Sequence, residues 1–162
     1  MKTIFCLLLS IFLVGCNPTI NVYNENLNQI NVNKALLIWG VEWRSVKSFS
    51  EADLVIKQVY PQQMHCSANV GEFHFGHDLI LLNNRFCKQA SNKDITNLIA
   101  HEIGHYFYIE HTNVPNALMN HRSHLNTRRI THYEVDSFKK NRCKFLIYLY
   151  FRRLIKNFTE LS

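Results

Sequence analysis

Apolar positions along the chain follow two rhythms, one helical and one alternating. Over residues 94–111, Ile95, Leu98, Ile99, Glu102, His105 and Tyr106 recur at helical spacing, which predicts one helix with a continuous face. Val32, Ala35, Leu36, Trp39 and Trp43 likewise line one side of a helix expected over 30–46, with Gly40 inside it. Residues 20–23 alternate as a short strand would. Residues 54–60 are rich in Leu, Val, Ile and Tyr and stop at Pro61, as a strand would. Two further strand pieces, 72–75 and 79–82, flank Gly76 and Asp78. The Asn-rich stretches 17–33 and 81–97 read as loop-bearing.

Beyond residue 128 the pattern turns helical again. Thr131 and Glu134 have capping-box spacing, which predicts a helix start within 128–141. A second helix is expected over 144–158. Ile147, Phe151, Leu154 and Phe158 form its apolar face, and Arg152, Arg153 and Lys156 its basic face. Helices and strands in this order give an α+β chain. At 162 residues and 47% hydrophobic it can bury one proper core.

The first fifteen residues are set apart from that domain. Lys2 precedes an apolar run over 4–14 that is too short to span a bilayer comfortably. The run ends in Leu13-Val14-Gly15-Cys16, which resembles a bacterial lipoprotein lipobox. That resemblance implies a signal peptide over 1–15, lipidation of Cys16 and a membrane-anchored domain over 16–162. An ordinary secretory signal cleaved near Gly15 is the alternative. Either way the protein is expected to be exported to the cell envelope.

Charge and cysteines refine this picture. Residues 1–120 carry eight Lys and Arg against nine Asp and Glu, whereas 121–162 carry ten against three. A basic tail on an anchored protein suits anionic headgroups, and a merely solvated basic face suits the same numbers. No base-stacking or base-reading module accompanies it, so nucleic acid is not an expected partner. Cys66, Cys87 and Cys143 are an odd set outside the cytoplasm and allow at most one intramolecular disulfide. Cys66–Cys87, bracketing a hairpin-like region, is the first pairing to expect.

The chemistry concentrates at His101-Glu102-Ile103-Gly104-His105, with His111 six residues further on. Two histidines four residues apart on a helix place both imidazoles on one face, where they can share an ion. Glu102 stands beside them as a proton acceptor. A third protein ligand with one open position would complete a catalytic zinc site. His111 supplies it if the helix breaks soon after His105.

HEIGHYFYIEH and the following TNVPNALMN resemble the zinc helix and Met-turn of the metzincin peptidases, in particular their matrixin-like branch. The resemblance is tight over about 94–120 and looser elsewhere. It implies a twisted mixed sheet with a zinc-binding active-site helix, a Met-turn and C-terminal helices. It also implies one catalytic Zn2+ held by His101, His105 and His111, Glu102 as general base, and Met119 beneath the metal. The strand near 72–75 would then be the edge strand above the cleft, pairing with an extended substrate. Too few residues separate Cys16 from the first strand for an inhibitory pro-segment of the matrixin kind.

The family usually has Gly three residues before the last His, and here it is Tyr108. Either Tyr108 takes the left-handed conformation or the helix ends by another route. Glu134 is the rival third ligand. His74, His77 and Asp78 have the residue types of a second metal site, and His121 is an auxiliary candidate near the first. The function implied is a lipid-anchored zinc metalloendopeptidase acting on peptide or protein substrates. A catalytically silent zinc-binding lipoprotein, or a zinc hydrolase of a non-protein envelope polymer, are the alternatives.

Overall fold

The computed structural model describes residues 19–66, 68–122 and 124–159; the signal segment and Cys16 lie outside them. In chain order the elements are β1 (Ile20–Glu25), α1 (Gln29–Ile38), β2 (Trp43–Ser45), β3 (Leu54–Val59), β4 (Gly71–His74), β5 (Leu79–Asn83), α2 (Asn84–Gln89), α3 (Asn92–Tyr106) and α4 (His132–Thr159). Short 3-10 turns at Phe49–Glu51, Pro61–Gln63 and Leu125–Thr127 link them. The chain is therefore a mixed α+β fold, as the two rhythms predict.

The strands form one sheet in the order β2-β1-β3-β5-β4. All neighbours are parallel except β4, which runs antiparallel to β5 with Phe73 opposite Ile80. Strands buried on both faces read as continuous apolar runs, which is why 79–82 is Leu-Ile-Leu-Leu. Ile20, Val22, Leu54, Ile56, Ile80 and Leu82 from the sheet share one core with Val32 and Leu36 of α1 and Leu98, Ile99 and Ile103 of α3.

The sequence misplaces three features here. The helix expected over 30–46 ends at Ile38, because Gly40 takes φ +62° just past the Trp39 cap. Trp43 then enters β2, pairing with Ile20. Its four-residue spacing from Trp39 imitates a helical face that the chain has already left. Second, residues 84–89 form a short helix capped by Asn83, whose side chain accepts from the amides of Arg85 and Phe86. Third, the two C-terminal helices are one continuous 28-residue helix, α4.

The orientation of α4 also differs from that of an ordinary amphipathic helix. Its basic face turns inward: Arg153 Nη2 meets Asp53 Oδ2 at 2.5 Å, and Arg152 Nη1 meets Asp78 Oδ2 at 2.8 Å. Tyr148 donates its hydroxyl to the same Asp78 oxygen at 2.6 Å. Asp53 also accepts from the amide of Asn21 at 2.8 Å. Buried Phe145 and Leu149 pack beside these pairs, while Ile147, Phe151 and Ile155 face solvent. The expected Cys66–Cys87 disulfide is absent: Cys66, Cys87 and Cys143 are free thiols, and burial pushes the Cys87 thiol up to about 11.

Candidate metal centre

α3 starts at Ser91, whose hydroxyl accepts from the Asp94 amide while Asp94 accepts from the Ser91 amide. Buried residues run without a break from Ile95 to Ala100, so the helix arrives at His101 with its register fixed by the core. Glu102 and His105 come one residue and one turn later.

Past Tyr106 the helix closes with a Schellman ending. The Tyr108 amide donates to His105 O at 2.9 Å and the Ile109 amide to Gly104 O at 3.0 Å. Tyr108 occupies the left-handed position between them, at φ +60°. For a residue other than glycine that conformation costs about 1–2 kcal/mol. Its carbonyl accepts from Asn141 Nδ2 at 2.8 Å, and its ring lies between those of Phe75 and Tyr148, 6.4 and 6.2 Å away. Of the two routes the sequence left open, the chain takes the strained one. The turn brings His111 back to the helix.

There the three imidazoles converge. His111 Nε2 lies 3.1 Å from His101 Nε2 and 3.1 Å from His105 Nε2. Nδ1 of His101 sits 2.8 Å from Leu118 O, and Nδ1 of His105 sits 3.0 Å from Ile109 O. A carbonyl only accepts, so both Nδ1 atoms carry the proton and both Nε2 atoms present lone pairs. Arg128 Nη1 also lies 3.3 Å from His101 Nδ1, but the shorter carbonyl contact sets the tautomer.

Two acceptors thus point at a third nitrogen that can carry at most one proton, an arrangement that calls for a cation. Tetrahedral zinc with nitrogens at about 2.0–2.1 Å separates them by about 3.3 Å, close to what the chain already presents. The cluster fits one Zn2+. Among the described residues it is the sole group of three or more His, Cys, Asp or Glu with this convergence.

Burial also keeps these nitrogens available. It lowers the pKa of His101 to about 3 and of His105 to about 4, and lowers that of half-exposed His111. The imidazoles are therefore neutral, the form that binds a metal. Burial pushes the Glu102 carboxyl up to about 8, against the pull of Arg128 and with the push of Glu72.

Beneath the cluster runs the turn over 114–119, with Asn116 at φ +58° and Met119 fully buried. A Cβ on Gly104 would collide with Met119 Sδ and come 2.9 Å from Trp39 Cζ2. Only glycine lets the turn pack this close to the helix. Trp39 braces the same stretch, its indole donating to Ala100 O at 2.8 Å.

Glu134 is committed elsewhere, which removes it as a ligand. Fully buried, it accepts from the Met119 amide at 2.5 Å and from the Thr131 amide and hydroxyl at 2.6 and 2.8 Å. The second metal site does not assemble either. His74 pairs with Glu72 at 2.8 Å, and Asp78 is held by Tyr148 and Arg152.

An open cleft of about 560 Å³ contains His101, Glu102, His105 and His111, with Phe73 and Phe75 along one wall. His121 and Arg128 complete it, the His121 ring 4.9 Å from that of His111. Arg128 is invisible in the sequence because it reaches the cleft from a loop. Asn97 pins that loop to α3 through the carbonyls of Leu125 and Arg128, at 2.5 and 3.3 Å.

No family profile and no curated protein matches the chain. Solved structures do. A zinc-dependent peptidase from Methanocorpusculum labreanum (strain Z) superposes with a TM-score of 0.55 at 11% identity, covering 73% of this chain and 98% of that one. Archaemetzincin from Methanopyrus kandleri superposes with a TM-score of 0.58 at 10% identity, covering 76% and 95%. The chain folds like a zinc-dependent peptidase. At such identities the likeness extends to the fold, and chemistry must be argued from the side chains.

Proposed function

We propose that this chain is a zinc-dependent metallopeptidase of the metzincin kind, an endopeptidase held at the bacterial cell envelope by a lipid on Cys16. One observation carries the hydrolase reading: three neutral imidazoles direct uncommitted nitrogens at one point, with a carboxylate in the same cleft. A structural histidine cluster would have satisfied those nitrogens with donors. The fold shared with a zinc-dependent peptidase and with archaemetzincin supports the same reading.

His101, His105 and His111 would hold Zn2+, oriented by the carbonyls of Leu118 and Ile109. The ion would polarise a peptide carbonyl and acidify a water at neutral pH. Glu102 takes the attacking water's proton and passes it to the departing amine. Burial raises the Glu102 carboxyl in the metal-free chain, and a bound dication would pull it back toward the carboxylate that accepts the water's proton. Arg128 is the one arginine lining the cleft and would be the guanidinium available to charge that develops on the carbonyl oxygen. Extended peptides suit the site because β4 ends the sheet and its Phe73 lines the cleft.

The test is hydrolysis of a mixed peptide library by the zinc-loaded chain beside its Glu102→Gln variant. Cleavage by the parent that falls by about 10²–10⁴-fold in the variant, with one zinc bound to each, supports a peptidase with this base. Zinc binding without cleavage of peptides would move the reading to a non-protein envelope substrate or a silent binder. Absence of bound zinc would sink it.

A further inference from the structure

Among the described residues nothing covers the outward face of α4, and its pattern is specific. At 100° per residue Lys140, Lys144, Ile147, Phe151 and Ile155 fall on one stripe. Lys140 and Lys144 are exposed, Phe151 is 56% exposed and Ile155 64%. Tyr150, at 57%, flanks the stripe. Asp136 lies near its start, 3.9 Å from Lys139. Across a groove of about 600 Å³ the apolar surface continues in Phe49, which is 62% exposed.

The helix cannot turn this face inward, because its other side is fixed by Arg152 on Asp78 and Arg153 on Asp53. Those pairs turn Arg152 and Arg153 toward the sheet and leave Ile147, Phe151 and Ile155 outside. A contiguous exposed apolar patch of this sort marks an interaction surface.

We propose that this face rests in the interfacial layer of the membrane that holds the lipid anchor. The proposal builds on lipidation of Cys16, and it adds which side of the domain meets the bilayer. The point where the chain enters the fold favours this occupant: Arg153 Nη2 donates to Thr19 O at 2.7 Å. Cys16 is three residues upstream, so at no more than about 3.6 Å per residue it is tethered within roughly 11 Å of Thr19. An α-helix with its side chains is about 10–12 Å across, so a lipid on Cys16 would be tethered within about one helix diameter of the point where Arg153 of α4 holds Thr19.

The residue types fit a bilayer interface. Apolar and aromatic side chains enter the acyl boundary, while Lys140 and Lys144 meet anionic headgroups. No described helix is long and apolar enough to cross a membrane, so the contact lies along the surface. The orientation has a consequence for substrates. The β4–β5 turn contributes Phe75 to the metal cleft and Gly76 and His77 to the groove beside α4. The cleft would therefore open close to the headgroups, where membrane-proximal peptide segments lie.

The test uses the full lipidated chain, isolated from membranes and reconstituted into vesicles of phosphatidylethanolamine and phosphatidylglycerol. A Phe151→Trp variant adds an indole to the outward face, to be compared with the parent, which has Trp39 and Trp43. The expected result is added emission that shifts to the blue and is quenched by lipids brominated near the headgroup. Ile155→Asp, combined with it, should weaken the quenching and leave hydrolysis of soluble peptides unchanged. Mass spectrometry of the same sample reports the lipid on Cys16. A lipidated chain whose added indole is neither shifted nor quenched overturns the proposed surface and leaves the anchor standing. A Cys16 without lipid removes the anchor and this proposal together. A lipidated dimer that Ile155→Asp splits, with the indole unquenched, assigns the face to a second copy and also overturns the proposal.

Discussion

Two clusters of polar side chains are built into this fold, and they differ in what their groups have left to bind. Around Asp53 and Asp78, each carboxylate meets an arginine, and Asp53 also accepts the Asn21 amide while Asp78 accepts the Tyr148 hydroxyl. Around His101, His105 and His111, the Nδ1 atoms are bonded but the Nε2 atoms face one another. The first cluster is closed on itself and holds α4 to the sheet. The second is open, complete only with a cation. Buried polarity alone therefore does not mark a site; nitrogens or oxygens left facing a common point do.

The comparison breaks most sharply under single substitutions. His105→Ala should reduce zinc affinity by more than the 10–100-fold that losing an outer partner costs, and peptide hydrolysis with it. Its unfolding midpoint in urea without metal should stay close to the parent's. Isothermal titration with zinc, run beside a urea melt, measures both. Asp53→Ala should do the reverse. Removing it strands Arg153 and the Asn21 amide, and because Arg153 is partly solvated the loss should be roughly 2–3 kcal/mol. Zinc affinity per folded molecule should be unchanged; a proportional loss of affinity would mean that the two clusters are coupled.

Acid should distinguish the open cluster next. Unfolded, His101 titrates near 6.5; folded, burial lowers it to about 3. Below about pH 6.5 protons thus favour the unfolded chain, so stability is intact above that pH and falls as pH drops toward 3. At pH 5 His101 alone accounts for roughly 2 kcal/mol. Glu102, pushed up to about 8, works in the opposite direction by taking up a proton in the folded chain, so the test is run in Glu102→Gln. Urea titrations of that chelator-treated variant at pH 7 and pH 5 should differ by roughly 2 kcal/mol or more, and identical curves would count against the buried neutral imidazole.

The smallest effect concerns the turn that closes the histidine cluster. Tyr108→Gly relieves about 1–2 kcal/mol of left-handed strain and loses the ring contacts with Phe75 and Tyr148, each worth about 0.5–1.5 kcal/mol. The thermal midpoint should move little. Tyr108→Val keeps the strain without the rings and should melt distinctly lower; equal midpoints for the two variants would remove strain from the account.

What could be read in the sequence follows the range of the interactions. The histidines converge over ten residues, and the box at Thr131 spans three, so their spacing carries them. Strands β1, β3, β4 and β5 were legible from apolar runs and turn residues. The orientation of α4 was not, since Arg153 finds Asp53 100 positions earlier. Taken alone, residues 144–158 describe a helix with its apolar side inward. Arg128 was hidden for the same reason: it reaches His101 from a loop 27 residues downstream. Trp39 and Trp43 misled because a spacing of four fits a helix, and one left-handed glycine between them ended it.

The clasp between α4 and the sheet also sets an order of events during synthesis. Asp53 and Asp78 leave the ribosome with the sheet they belong to, but Arg153 follows Asp53 by 100 residues. At about 5–20 residues per second that interval is roughly 5–20 seconds. Until then the two carboxylates have no guanidinium and must stay hydrated, so the nascent sheet cannot close over them. The histidine turn waits for the same helix, since Asn141 of α4 holds Tyr108 O and Glu134 of α4 holds the Met119 amide, so the metal socket and the body are finished together.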